Sequence, residues 1–336
     1  MRMPRVFAAF ALFAAAAIPT ARADEPVALK FAWPAPLKSD SADLAFAWKD
    51  RVVQAAGGAL TVQVFPEGTI AKTVNVLDRV MNGVADIGFG IMGPYSRQLP
   101  QAFVVQLPFV CNNSAECSTA LWRLYADGTI AGEFKDVHPL ALFNFTAASQ
   151  HTTKPVRRME DLAGTKIALS SKVLSDDVAL LGGTPITQTP SDFYESLSRG
   201  LVQGVLISWP GAISFKMQEV TRYHMDTPFG LFPAFIIMNK DSYAKLPAKV
   251  KQAFDENSGE KFSRIYGAGL DKSNDASVDE FRKMQGHEVV VLPKAELARW
   301  EKTLDPIIAE WVKATPDGEK VLKAFRAELA KIRGGA

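Results

Sequence analysis

The stretch Ala28–Ile91 decides the fold class and reads ALKFAWPAPLKSDSADLAFAWKDRVVQAAGGALTVQVFPEGTIAKTVNVLDRVMNGVADIGFGI. Apolar residues alternate in some parts of this stretch and recur with helical spacing in others. The pattern predicts five elements in order, namely strand Ala28–Trp33, helix Ser41–Ala56, strand Leu60–Phe65, helix Thr73–Met81 and strand Ala85–Ile91. Strand–helix–strand repeats of this length are typical of an α/β sheet with crossover helices.

A second α/β unit follows a middle stretch, Val137–Thr146, that reads as extended chain. Its predicted elements are strand Thr165–Leu169, helix Ser175–Leu181, strand Pro185–Thr187, helix Asp192–Arg199 and strand Val205–Ser208. Two α/β units in one chain predict two lobes, and the absence of a low-complexity linker indicates that strands join them.

The pattern changes after Ser208 and becomes mostly helical. Phe215–Tyr223 is amphipathic, and single strands are predicted at Phe235–Asn239 and Glu288–Leu292. The long helical segments are Ala248–Ser258, Lys261–Met284, Lys294–Lys313 and Asp317–Ile332. We expect this helical tail to cover the sheets from outside.

Length and composition support a two-lobed globular protein. The chain has 336 residues, of which 48% are hydrophobic and 22% charged. This profile excludes a disordered chain, a collagen-like fibre and a disulfide-dense mini-domain, and the length favours two lobes of roughly 100–200 residues. Three of the 38 basic residues fall in the first 23, which leaves 35 against 36 acidic residues. Nucleic-acid binding therefore lacks its usual electrostatic support.

The N-terminus, Met1–Ala23, has the pattern of a cleavable signal peptide. Arg2 and Arg5 precede an apolar run, Val6–Ile18, and Ala21-Arg22-Ala23 fits the small-x-small cleavage rule. The run is shorter than the roughly 20 residues of a membrane-spanning helix. The alternative is a buried N-terminal helix. We expect a periplasmic protein whose compartment permits disulfides.

The two cysteines, Cys111 and Cys117, lie on either side of a predicted helix start. Asn113 and Glu116 have the spacing of a capping box, which places Cys117 in the first turn. A bridge to Cys111 would then staple the preceding loop to the helix. The alternative is a pair of reduced thiols; a redox-catalytic role is disfavoured because no C-x-x-C pattern occurs.

The sequence carries no recognisable catalytic or metal-binding motif. His138, His151, His224 and His287 are scattered, and none has a partner at metal-ligand spacing. A G-x-S-x-G elbow, a P-loop and a G-x-G-x-x-G fingerprint are missing. We therefore expect no catalytic residues, no metal and no cofactor, and favour a binding protein that holds its ligand in a cleft at the strand ends. An exported enzyme and a ligand-presenting sensor are the alternatives.

Short motifs along nearly the whole mature chain resemble one family. They are Gly57–Val62, Phe65-Pro66-Glu67-Gly68, Asn82–Ile87, Leu107-Pro108-Phe109, Lys154-Pro155-Val156, Glu160–Ile167, Gly200–Gly204, Lys216–Tyr223, Met238-Asn239-Lys240 and Leu246-Pro247. Their order and spacing are similar to those of the DctP-like solute-binding subunits of tripartite ATP-independent periplasmic (TRAP) transporters.

The resemblance implies a periplasmic-binding-protein-like α/β fold with strand hinges, a cleft ligand and a long helix that spans both lobes. It divides the chain into the signal peptide (1–23), lobe I (24–147 plus about 234–275), lobe II (148–233) and a C-terminal strand and helices across the lobes (276–336). It also implies delivery of an organic acid to a small and a large membrane subunit, with uptake driven by an ion gradient. We expect a monomer that binds no nucleic acid.

One position departs from the family pattern. Many members carry an Arg after the "GlKi" strand, where a planar guanidinium can bind the substrate carboxylate through two bonds. Ala168 stands there in this chain. Our hypothesis is that Lys172 or Gln150 replaces the anchor, with Ser170 in the same loop; a solvated surface lysine is the alternative for Lys172.

The other predicted ligand contacts are aromatic residues at strand ends. They are Trp33, Tyr95, Phe145, Trp209, Phe232 and Phe235. For each one, packing in the core is the alternative to ligand contact. As a set beside the small Ala168, they favour a flat or largely apolar organic acid, such as an aromatic carboxylate.

Overall fold

The computed structural model describes residues 25–227 and 229–335, so the predicted signal peptide lies outside the described residues. Eleven strands fall within this part of the chain. They are β1 (Val27–Trp33), β2 (Leu60–Pro66), β3 (Ile87–Ile91), β4 (Val137–Phe145), β5 (Ser149–Thr152), β6 (Lys166–Leu169), β7 (Thr184–Thr187), β8 (Gly204–Ile207), β9 (Tyr223–Met225), β10 (Phe232–Asn239) and β11 (Glu288–Val290).

The described residues also contain eleven α-helices. They are α1 (Asp40–Ala55), α2 (Val76–Met81), α3 (Ser114–Ala126), α4 (Lys172–Leu180), α5 (Pro190–Ser198), α6 (Trp209–Ser214), α7 (Lys240–Ala244), α8 (Ala248–Asn257), α9 (Gly259–Lys283), α10 (Lys294–Ala314) and α11 (Gly318–Arg333). Most predicted boundaries agree within a few residues. The amphipathic stretch Phe215–Tyr223 does not form a helix: it holds a 3-10 turn at Met217–Glu219, and Tyr223 begins β9.

The strands form two sheets, one in each lobe. The first has the order β2-β1-β3-β10-β4 and the second the order β11-β9-β5-β8-β6-β7. β1, β2 and β3 are parallel, as are β6, β7 and β8, whereas β10 and β5 run antiparallel to their neighbours. β5 and β10 are the strands at which the chain enters a sheet after crossing from the other one.

Two connections join the sheets. The chain leaves β4 at Phe145 and enters β5 at Ser149, and it returns between Met225 at the end of β9 and Phe232 at the start of β10. The second connection approaches lobe I closely, because Leu231 N–H donates to the Val105 carbonyl at 2.9 Å. Thr227 Oγ1 also donates to the Ala148 carbonyl, which ties the two connections together.

The C-terminal helices attach to both lobes. α9 packs on α1, α3 and β4 of lobe I and on α6 and β11 of lobe II, and α10 packs on α4 while α11 packs on α3. The expected boundary at residue 275 lies inside the continuous helix α9. Residues 276–336 include β11, which pairs with β9 at the edge of the second sheet.

Cys111 and Cys117 form a disulfide, with their Cα atoms 5.8 Å apart. The Asn113 side chain accepts from Glu116 N–H at 2.9 Å, which caps α3 as its spacing predicts. Glu116 does not complete the capping box. Its carboxylate instead accepts from Asn112 N–H and from Arg333, the last residue of α11, so this loop also fastens the end of the C-terminal helix.

Candidate functional site

The candidate site lies where the facing edges of the two sheets meet. Parallel strands end together at one edge, so β1 and β3 of lobe I and β6, β7 and β8 of lobe II present their carboxyl ends toward the connections. This edge is where ligands bind in open α/β sheets. The 3-10 turn at Gln101–Gln106 reaches across it, with Gln106 Oε1 3.5 Å from Ser171 Oγ of lobe II.

Aromatic rings form the lobe I side of the site. Phe145 and Phe232 are direct partners in the β4–β10 register, and both are partly exposed. Behind Phe145, Phe89 meets its ring edge-on with centroids 6.4 Å apart. Trp33 stacks on Phe89 at 4.1 Å and has no exposed surface. Phe232 packs instead against the core cluster that contains Phe235. Of the predicted aromatic contacts in this lobe, only Phe145 and Phe232 therefore present surface at the edge, and Trp33 supports Phe145 through Phe89. We name Phe145, Phe232, Phe89 and Trp33 the aromatic wall.

Tyr95 and Phe235 lie in the lobe I core. The Tyr95 hydroxyl donates to the Thr73 carbonyl at 2.9 Å and accepts from Leu77 N–H at 3.3 Å. Its ring lies 5.9 Å from that of Phe235, which has no exposed surface. Burial raises the pKa of the Tyr95 hydroxyl. The pair holds the start of α2 onto the sheet. The backbone around Tyr95 borders a surface cavity of about 380 Å³, which is lined by Val74, Asp78 and residues 94–98.

Trp209 and Asp226 lie on the lobe II side. Trp209 is the first residue of α6 and is fully buried, and its indole N–H donates to the Asp226 carboxylate. Ser149 Oγ donates to the same carboxylate oxygen, Asp226 Oδ1, at 3.1 Å. Asp226 is exposed, whereas Ser149 and Trp209 are 2% and 0% exposed. A carboxylate at the return connection thus gathers donors from β5 and α6.

Ala168 lies in the buried cluster that includes Trp209, Phe193 and Val205. It has no exposed surface. The space beside this small side chain is therefore packed with apolar groups of lobe II.

The loop between β6 and α4 offers hydrogen-bond donors. Ser170 is exposed, and Ser171 precedes α4 without a side-chain bond to its first turn. Lys172 is 86% exposed, and its ammonium group binds Asp176 at 2.7 Å one turn along the helix. The charge of Lys172 is thus balanced on the outer surface of α4, and two residues separate the start of α4 from the carboxyl end of β6.

Two buried amides flank the first connection and lack hydrogen bonds. Gln150 is 3% exposed and its Nε2 has no partner among the described residues, and the same holds for both amide atoms of the fully buried Asn144. Buried amides are normally paired. Polar groups close to the crossover therefore retain capacity for a ligand or water.

Three of the four histidines meet behind Trp209. His151 Nδ1 lies 2.9 Å from His224 Nδ1, and His224 Nε2 lies 2.9 Å from His287 Nδ1. His151 Nε2 is 3.2 Å from the Ile207 carbonyl and must donate to it, so the chain of donors runs from His287 through His224 to His151. Burial lowers the pKa of His151 to about 3 and that of His224 to about 2. The chain is therefore neutral near pH 7.

Neither this histidine cluster nor Asp226 is predicted by the sequence. The histidines come from β5, β9 and the segment before β11, and β5 and β9 carry no apolar alternation that would predict them.

Within the described residues, no group of three or more His, Cys, Asp or Glu side chains is arranged to hold a metal ion. Among the same residues, no helix combines the length and apolar character needed to cross a bilayer.

Comparison with known proteins identifies the family of this chain. The family model for bacterial extracellular solute-binding protein, family 7 (DctP), matches residues 35–314. The C4-dicarboxylate-binding periplasmic protein DctP of Rhodobacter capsulatus is 24% identical over 314 residues, which cover 91% of this chain and 92% of that protein.

Two solved structures have the same fold. A marine metagenome TRAP solute-binding protein specific for aromatic acid ligands is 26% identical, with a TM-score of 0.82 and coverage of 91% of this chain and 99% of its own. A TRAP solute-binding protein of Rhodoferax ferrireducens, solved with copurified benzoate, is 25% identical, with a TM-score of 0.83 and coverage of 92% and 100%. The chain therefore belongs to family 7 of the bacterial extracellular solute-binding proteins, the DctP family, and is a solute receptor of the TRAP type rather than an enzyme.

Proposed function

We propose that this receptor binds an aromatic carboxylate between its lobes and delivers it to the membrane permease subunits of a TRAP transporter. The observation that carries the proposal is the aromatic wall. It presents Phe145 and Phe232 to a lobe II edge with few cations. No Lys or Arg occurs in the connecting segments 146–148 and 226–231 or in the last two residues of β3, β4, β6 or β8. Flat rings stack or pack edge-to-face on such a wall, whereas a small dicarboxylate would find few cations.

The ligand carboxylate needs donors other than an Arg at position 168. We assign this role to the first-turn N–H groups of α4, the Ser170 and Ser171 hydroxyls and the unpaired Gln150 amide. A helix N-terminus carries a partial positive charge and exposed N–H groups, which suit an anion. Lys172 contributes less in this proposal, because Asp176 balances its charge.

The remaining predicted contacts have supporting roles in the proposal. Trp33 supports Phe145 within the aromatic wall, the buried Trp209 holds the Asp226 carboxylate, and Tyr95 and Phe235 stabilise lobe I. The metagenome and Rhodoferax proteins, which bind aromatic acids and benzoate, support the aromatic class. We further propose that Met1–Ala23 is removed on export to the periplasm and that the mature receptor acts as a monomer.

Thermal unfolding with a panel of acids tests the ligand class. Benzoate and phenylacetate are compared with succinate and glucuronate, and ligand that copurifies is identified by mass spectrometry. We expect at least one aromatic acid at 100 times its dissociation constant to raise the melting temperature by about 4 °C. Stabilisation by succinate or glucuronate alone would end the proposal.

A matched pair of variants locates the binding. Phe145→Ala should weaken aromatic-acid binding about tenfold, because it removes wall surface. Phe215→Ala removes an aromatic ring that is 40% exposed after α6 and should leave affinity unchanged. Equal effects of the two substitutions would show that the aromatic wall is not the binding surface.

A further inference from the structure

Asp226 joins three elements at the return connection and still has a free oxygen. Its Oδ1 accepts from Ser149 Oγ of β5 and from the Trp209 indole N–H at the start of α6. Its Oδ2 has no hydrogen-bond partner among the described residues, and no Lys, Arg or His forms an ion pair with it there. Two buried donors thus fix the orientation of one half of the carboxylate and leave the other half available.

The free half of the carboxylate lies at the sheet edge of the proposed site. Asp226 follows β9 directly, and β9 pairs with β5, whose first residue is Ser149 at the other connection. Asp226 is exposed although both of its donors are buried. Solvent or a ligand between the lobes can therefore reach Oδ2.

An ionised carboxylate only accepts hydrogen bonds, so Asp226 selects among organic acids by what they carry besides the acid group. We propose that Asp226 is a specificity-determining residue that accepts a hydrogen bond from a hydroxyl or amino substituent of the ligand. This inference rests on the proposed function and narrows it to hydroxy- or amino-substituted aromatic acids. It also predicts rejection of acids with a second carboxylate, which like-charge repulsion disfavours.

Calorimetric titration of the full mature protein tests the inference with three ligands: benzoate, 3-hydroxybenzoate and isophthalate. The variant is Asp226→Asn, which keeps an acceptor oxygen for Ser149 and Trp209 but replaces Oδ2 by an NH₂ group. Asp50→Asn is the matched control, because Asp50 is 71% exposed on the lobe I helix α1. Succinate and malate form a second, aliphatic pair with and without a hydroxyl group.

In the native protein, we expect 3-hydroxybenzoate to bind about tenfold more tightly than benzoate, as one charge-assisted hydrogen bond allows. Asp226→Asn should abolish this preference and strengthen isophthalate binding about tenfold, and Asp50→Asn should change neither. An unchanged preference in Asp226→Asn, with aromatic acids still bound, overturns the inference and leaves the proposed function standing. A hydroxyl preference seen only in the aliphatic pair, and lost in Asp226→Asn, supports Asp226 and overturns the aromatic ligand class. Failure of every ligand to bind overturns both.

Discussion

Asp177 is a carboxyl group on α4 with no exposed surface and no hydrogen-bond partner among the described residues. Burial raises its pKa from 3.8 to about 8, with a smaller contribution from the neighbouring Asp176. The folded protein therefore keeps a proton that the unfolded chain releases above pH 4. Stability from this group is complete below pH 4 and is lost as the pH rises toward 8.

We predict that Asp177→Asn stabilises the protein at pH 8 and changes little at pH 4. The expected gain at pH 8 is on the order of 2–5 kcal/mol, because the neutral amide never has to ionise in the core. Denaturant unfolding at both pH values measures it. Asp176→Asn is the control and should keep most of the native pH dependence, since Asp176 is half-exposed and contributes only the smaller cause. A gain of equal size at pH 4 would contradict the assignment.

At single residues, the sequence locates strand ends better than it predicts side-chain directions. Phe145 and Phe232 present surface at the edge, but Tyr95 and Phe235 turn into the lobe I core, where the Tyr95 hydroxyl binds backbone. Position at a strand end does not specify which face a ring occupies. No local sequence pattern predicts Asp226 as a site residue, because its donors, Ser149 and Trp209, are 77 and 17 residues away in sequence.

At the scale of elements, the predicted bounds are accurate where the local sequence has a strong hydrophobic period. α9 is periodic over 25 residues, and its predicted bounds are within two residues of those observed. β5 reads Ser-Gln-His-Thr, is wholly buried, and has no apolar alternation. Its place in the sheet comes from partners in β8 and β9, which local sequence cannot reveal. Long-range pairing likewise makes Tyr223–Met225 a strand, β9, which begins at the last residue of the amphipathic stretch Phe215–Tyr223.

The return connection depends on Gly230, and we predict that no larger residue is tolerated at this position. A Cβ atom at Gly230 would lie 2.0 Å from the backbone carbonyl of Gln106, which cannot move without breaking the Leu231–Val105 hydrogen bond. Gly230→Ala should therefore lower the free energy of unfolding by about 3 kcal/mol. Gly132→Ala is the control, since a Cβ atom there meets nothing within 4 Å. If both variants unfold at the same denaturant concentration, the close approach of the connection to lobe I is not a real constraint.

For the whole molecule, α9 is the element that ties the lobes together along their length. At about 1.5 Å per residue its 25 residues span about 37 Å. Asp271 fixes it to lobe I by accepting from Ser114 and Ala115 N–H at 2.8 and 2.9 Å. Phe281 fixes it to lobe II, edge-on to Trp209 at 5.2 Å. Any closing of the lobes on a ligand must therefore be accommodated by the helix between these two anchors.

The segment between the anchors, Ser273–Ser277, reads Ser-Asn-Asp-Ala-Ser, and four of its five residues are weak helix formers. We predict that a more flexible Ser273–Ser277 segment weakens ligand binding. The open form would then sample more lobe orientations, and closing on the ligand would cost more conformational entropy. Asp275→Gly should lower ligand affinity severalfold. Arg264→Gly, also exposed on α9 but on the lobe I side of the Asp271 anchor, should cost about 0.5–1 kcal/mol of stability without that effect. Titration calorimetry gives the affinities, and small-angle scattering with and without ligand measures closure. Equal affinities in the two variants would mean that the lobes close without bending α9, and that the two strand connections alone act as the hinge.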